Sequence, residues 1–112
     1  MSNVIAQFNP KNSKQIMISA HWDTRPWAEN SSTIMRKNQP IIGANDGASG
    51  VAVILELAKI MKKNSPPIGV SLVLFDAEDY GTSADSWSYA KGSQFFAQNI
   101  PINYPMYAIN LD

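Results

Sequence analysis

Apolar and polar positions along the chain switch between two periods. VIAQF (residues 4–8) alternates as a short strand does, whereas QIMISAH (15–21), VSLVLF (70–75) and MYAINL (106–111) are near-continuous apolar runs of strand length. Runs of that kind mark strands covered on both faces. From Ala48 the period becomes helical. Val51, Ile54, Leu55, Ala58 and Met61 fall on one stripe, Glu56, Lys59, Lys62 and Lys63 lie off it, and the late lysines suit the negative end of the helix dipole. NSPP (64–67) stops that helix. Residues 85–99 (DSWSYAKGSQFFAQN) predict a second helix interrupted by Gly92 and closed by PINYP (101–105).

The turn-rich segment NPKNSK (9–14) predicts that the first two strands form a hairpin. Residues 24–43 carry Pro26 and Pro40, little periodicity and many polar side chains, which predicts a long surface loop. The order β-β-α-β-α-β predicts an α/β fold, a mixed sheet covered by helices. A chain of 112 residues without repeats or low-complexity tracts is expected to hold a single domain.

Nine basic and nine acidic residues leave no net charge, so composition points neither to a nucleic-acid surface nor to an anionic membrane. With no cysteine, disulfides and thiolate metal sites are excluded, and any metal must be held by oxygen and imidazole. The N-terminus lacks a charged leader with a long apolar core, and no apolar run approaches the roughly 18 residues of a membrane span. The chain is expected to be soluble, in a compartment the sequence leaves open.

The chemistry lies at the strand ends. His21, the only histidine, stands two residues before Asp23, so on a strand both point to one face and the carboxylate can orient a metal-ligating ring. In isolation such a pair is more often a plain strand-end ion pair. GANDGASG places Asp46 in a Gly-rich turn ahead of a helix, where a carboxylate can bridge cations, although Asp46 or Ser49 in such a sequence more commonly caps the helix. Glu78 and Asp79 follow a buried strand and point different ways, so one can hold metal while the other moves protons; the plainer reading is a solvated acidic loop. Asp112 also ends a strand, and as the last residue it is equally a frayed terminus. Trp22, Trp27, Tyr80 and Trp87 flank these positions and serve either packing or a pocket wall. Open α/β sheets place ligands at the carboxyl ends of their strands, and acids converging there need a bound cation to offset their repulsion.

SAHWDTRP, IIGANDGASGVAVILELAKIM, LVLFDAEDYG followed by GSQFFA, and AINLD together resemble successive blocks of the zinc-dependent exopeptidase family. That family holds the leucyl-type aminopeptidases and the glutaminyl-peptide cyclotransferases, and the blocks cover nearly the whole chain. The resemblance implies a three-layer αβα fold with a mixed, mostly parallel sheet, and an enzyme acting on peptide or protein N-termini. It implies Asp46 as the central zinc ligand, ahead of a cis peptide to Gly47, with Glu78 as catalytic acid/base and Asp79 as a ligand. Asp23, as the carboxylate that orients His21, is counted with Glu78 among the catalytic residues. In the aminopeptidase branch His21 and Asp112 complete a second zinc position; in the cyclotransferase branch one zinc is the rule and those two residues serve the site without binding it.

Two departures stand out. The family usually carries Glu where this chain has Asp79, one methylene shorter. Its final ligand is a histidine in a domain about twice this length, and no second histidine occurs here. Residues 1–112 are therefore expected to be one partial catalytic domain, lacking a C-terminal part and an N-terminal helical segment, with weak zinc binding and little activity by itself. HWDTRPWA, FDAEDYG, Trp87 and GSQFFA look most like the bacterial glutaminyl cyclotransferase-like group, with an aminopeptidase as the alternative and a metal-poor interaction domain as the non-enzymatic one.

Overall fold

The computed structural model describes residues 1–100, 104 and 107–112. Strands β1 (Val4–Phe8), β2 (Gln15–His21), β3 (Gly69–Phe75) and β4 (Tyr107–Asn110) form one sheet in the order β1-β3-β2-β4. β2 and β3 run parallel, with Gln15 opposite Gly69 and His21 opposite Phe75. β4 lies parallel on the other side of β2, and β1 lies antiparallel on β3. Parallel pairing needs a crossover, and α1 (Ala48–Lys63) supplies it between β2 and β3.

Side-chain alternation sorts the sheet into two faces. Ile16, Ile18 and Ala20 of β2 and Val70, Leu72 and Leu74 of β3 meet Ile54, Ala58 and Met61 of α1, forming the core with Ala20 and Val70 almost wholly buried. Phe75 is on the opposite face, where Phe96 of α2 (Lys91–Gln98) meets it edge-on with centroids 5.4 Å apart. The result is the three-layer αβα arrangement with a mostly parallel mixed sheet. No helix among the described residues is long and apolar enough to cross a membrane.

Three expectations change. β1 and β2 are not a hairpin: β1 pairs with β3. Residues 9–14 are long enough to step across the roughly 10 Å of two strand spacings, and β3 gains partners on both edges by this route. The second helix is shorter than 85–99, because Ala90 takes a left-handed conformation (φ 53) that no helix continues through. Upstream, the Asp85 side chain caps a 3-10 turn, Ser86–Ser88, by accepting from the Trp87 N–H. No cis peptide occurs among the described residues; Gly47 instead makes the sharp entry to α1 with φ 90 and ψ −61, a conformation open to glycine. The expected closure by 101–105 falls mostly, and the start of the last strand at residue 106 wholly, outside the described residues.

Gly50 sets the distance between α1 and the sheet. A Cβ there would lie 2.6 Å from the Leu111 carbonyl oxygen and 2.8 Å from the Ala20 Cβ. Alanine in a helix gains up to about 1 kcal/mol over glycine, yet overpacking against backbone costs about 1–3 kcal/mol. Gly50→Ala is therefore expected to destabilise the fold. A chemical-denaturation midpoint equal to or above that of the parent would contradict this.

Candidate metal and catalytic site

The carboxyl ends of β2, β3 and β4 and the start of α1 bring the strand-end residues together. One ligand atom each from His21, Asp46 and Asp112 lie within 4.8 Å of one another. His21 Nε2 stands 3.0 Å from Asp46 Oδ1 and 3.7 Å from Asp112 Oδ1. The ring is 1% exposed, fixed by burial at the end of β2, whereas the two carboxylates reach it from the exposed side. Gly47 admits this arrangement, since a Cβ there would approach the ring at 3.2 Å and the Asp23 carbonyl oxygen at 2.8 Å.

Asp46 does not cap α1. The helix has no side-chain cap, and its N-terminal position is taken by Gly47. The Asp46 carboxylate is thus left to face His21 and solvent. An imidazole and two carboxylates at this spacing could hold a divalent cation, zinc among them.

Glu78 and Asp79 sit on the loop after β3, half-buried beside this group and outside it. Ala77 (φ 55) turns the chain into the left-handed region just before them. That turn would leave the following amides without partners, and Asp23 supplies them: its Oδ1 accepts from the Glu78 N–H at 2.9 Å and its Oδ2 from the Asp79 N–H at 3.0 Å. Asp23 therefore does not hold the His21 ring. Its Oδ1 is 3.7 Å from Nδ1, beyond hydrogen-bond distance, and Nδ1 is buried without a partner among the described residues. On the other side of the loop, the N–H groups of Ala90, Lys91 and Gly92 donate to the carbonyls of Glu78, Ala77 and Asp76.

Burial pushes the Glu78 carboxyl above its usual pKa of 4.5, helped by the charges of Asp112, Asp79 and Asp23. Burial also raises Asp79 above 3.8, with Asp46 adding to it. For His21 burial pulls the other way, but the surrounding carboxylates, led by Glu78 and Asp79, outweigh it and raise the ring above 6.5. The signs agree. All three groups bind protons more tightly in the folded chain, so folding is favoured by protonation. The two acids begin to lose that advantage above their ordinary values, and His21 keeps its contribution below 6.5 and loses it as pH rises through its folded value. With a chelator present, the melting temperature is expected to fall as pH rises from about 5 to 8, and zinc at pH 8 should restore it by replacing protons as the counter-charge. A chelated protein that melts higher at pH 8 than at pH 5 would exclude this charge crowding.

Arg25 escaped the reading of the sequence. Its guanidinium donates to the carbonyls of Asp79 (2.8 Å) and Gly81 (3.3 Å) and pairs with Glu29. The only signal was position: it follows HxD by two residues and is the sole Lys or Arg between Lys14 and Arg36. Trp27, Tyr80 and Trp87 are exposed around the loops, and a cavity of about 320 Å³ beside Glu78 is lined by Ser19, Phe75, Ser93 and Asn110.

The chain superposes on a glutaminyl cyclase from Bacteroides thetaiotaomicron, crystallised with N-acetylhistamine, with a TM-score of 0.92 and 38% identity, covering 98% of this chain and 40% of that one. A Zn-dependent exopeptidase from Parabacteroides distasonis gives a TM-score of 0.91 and 40% identity, again over 98% of this chain and 40% of the other. Aminopeptidase YwaD of Bacillus subtilis is 30% identical over 87 residues, 75% of this chain and 16% of that protein. The chain spans 16% to 24% of the length of the first curated relatives it matches. The likeness to a Zn-dependent exopeptidase points to zinc, which the His21, Asp46 and Asp112 group could hold. The profile of "Peptidase family M28" matches residues 3–112, and the chain belongs to that family.

Proposed function

We propose that the full-length protein carrying this chain is a zinc-dependent enzyme acting on peptide N-termini, of the glutaminyl-peptide cyclotransferase kind. The observation that carries the reading is the place of Glu78. It stands beside the His21, Asp46 and Asp112 group without belonging to it, its backbone is pinned by Asp23, and its surroundings favour the protonated form. A carboxyl in that position suits general acid/base work, because its affinity for a proton is shifted toward neutral pH. Bound zinc, on Asp46 and Asp79 or on His21, Asp46 and Asp112, would supply polarisation of a substrate carbonyl.

Glu78 then takes a proton from the α-amine of an N-terminal glutamine as that nitrogen attacks the side-chain amide carbon. It returns the proton to the amide nitrogen, the carbon–nitrogen bond breaks, and ammonia leaves as the five-membered lactam closes. The likeness to the Bacteroides thetaiotaomicron glutaminyl cyclase over 98% of the chain supports this branch.

A second reading is favoured by the completeness of the His21, Asp46 and Asp112 group, which the aminopeptidase branch uses for a second zinc, and by the likeness to aminopeptidase YwaD. There Glu78 takes the proton from a water that attacks the first peptide carbonyl. One experiment separates the readings: the full-length protein is given a Gln-peptide and a Leu-peptide, and zinc is counted per chain. Ammonia release with one zinc supports cyclisation, free leucine with two zincs supports the aminopeptidase, and turnover of neither peptide overturns both.

A further inference from the structure

The geometry points to Arg25 as a positioning residue that completes the hold on the acid-bearing loop and so sets the direction of Asp79. The inference rests on reading Glu78 and Asp79 as proton-transfer and ligand residues. The carbonyls of Asp76, Ala77 and Glu78 each accept from an amide at the start of α2, and the carbonyl of Asp79 accepts from Arg25 at 2.8 Å. Arg25 thus supplies the fourth and last of these acceptors with a donor. Asp23, two residues earlier, takes the N–H groups of Glu78 and Asp79. One short stretch after β2 therefore grips the same dipeptide through both kinds of backbone group.

The guanidinium is itself fixed. Glu29 pairs with it, the Tyr89 ring centroid lies 5.3 Å from its central carbon, and a second N–H reaches the Gly81 carbonyl at 3.3 Å. A planar fork can serve two carbonyls, a carboxylate and a ring face at once, whereas a lysine ammonium on its flexible stem cannot. The Asp79 side chain is short, so it has little freedom to correct a misplaced backbone. Its carbonyl is the point at which Arg25 holds it.

The test uses the full-length protein, with zinc affinity measured by chelator competition and kcat and KM on whichever of the Gln-peptide or Leu-peptide it turns over. Arg25→Ala is expected to lower zinc affinity and kcat by about 10–100-fold, the range seen for residues that orient a ligand, with KM moving by less than about 3-fold. Arg25→Lys should recover only part of the loss. Wild-type zinc affinity and kcat in Arg25→Ala overturn the proposal, as does a variant that loses thermal stability alone. If Arg25→Ala does not fold, Arg25→Lys decides: an affinity lowered by about 5-fold or more supports the clamp, and an unchanged one overturns it. A parent protein that turns over neither peptide overturns the function reading while the zinc titration still decides the clamp; one that binds no zinc overturns both.

Discussion

Glu78→Gln in the full-length protein is expected to lower turnover by about 10²–10⁴-fold, the usual contribution of a positioned acid/base, and to leave bound zinc unchanged. The amide keeps the size of the side chain, so packing at the end of β3 is preserved and only proton transfer is lost. Asp23 bonds to the backbone of residue 78, not to its side chain, so the loop stays in place. Removing a half-buried acid should also make the zinc-free protein more stable at pH 8, because burial disfavours the Glu78 carboxylate. Loss of zinc along with activity would instead assign Glu78 to the ligands, and retained turnover would remove it from the chemistry.

Asp46→Ala is expected to cost more than about 100-fold in zinc affinity, above what the loss of an orienting residue typically costs, with activity falling in parallel. The fold should tolerate the change. The Asp46 side chain is 68% exposed and does not cap α1, so the substitution removes a charge at the mouth of the site and little packing. Far-ultraviolet circular dichroism and zinc-free melting should stay close to those of the parent. If zinc affinity survives the change, Asp46 is not the central ligand in either reading. Together the two variants assign the proton and the metal to different carboxylates.

The parts legible in the sequence are those set by local period and by strand ends. The stripe from Val51 to Met61 defined α1, and the apolar run at 70–75 defined β3, because each segment's own spacing states which face is buried. The family blocks carried the convergence of His21, Asp46 and Asp112. What was not legible depends on partners far along the chain. Whether β1 pairs with β2 or β3 is decided by competition for the edge of β3, and the alternation of VIAQF is compatible with both. The start of α2 depends on the left-handed Ala90, a residue whose type favours helix, and only its surroundings hold it in that conformation. Asp23 was expected to face His21 because the two share a strand face, but two backbone N–H groups of a distant loop claim its oxygens. Arg25 was missed for the same reason: the two carbonyls it holds lie more than fifty residues away.

The bonds from Ala90, Lys91 and Gly92 to the acid-bearing loop make α2 more than a cover for the sheet. A helix of eight residues is too short to persist in water by its own bonds, so its order depends on Phe96 and on these three amides. Helix and loop are therefore expected to loosen together, with Asp23 and Arg25 left as the remaining holds on the loop. Hydrogen exchange at those three amides reads the free energy of parting α2 from the loop that bears Glu78 and Asp79, with no substrate or metal present. In the proposed enzyme, a solvent or a substitution that frays the first turn of α2 is expected to weaken the site from the rear, with every side chain at the proposed metal end untouched.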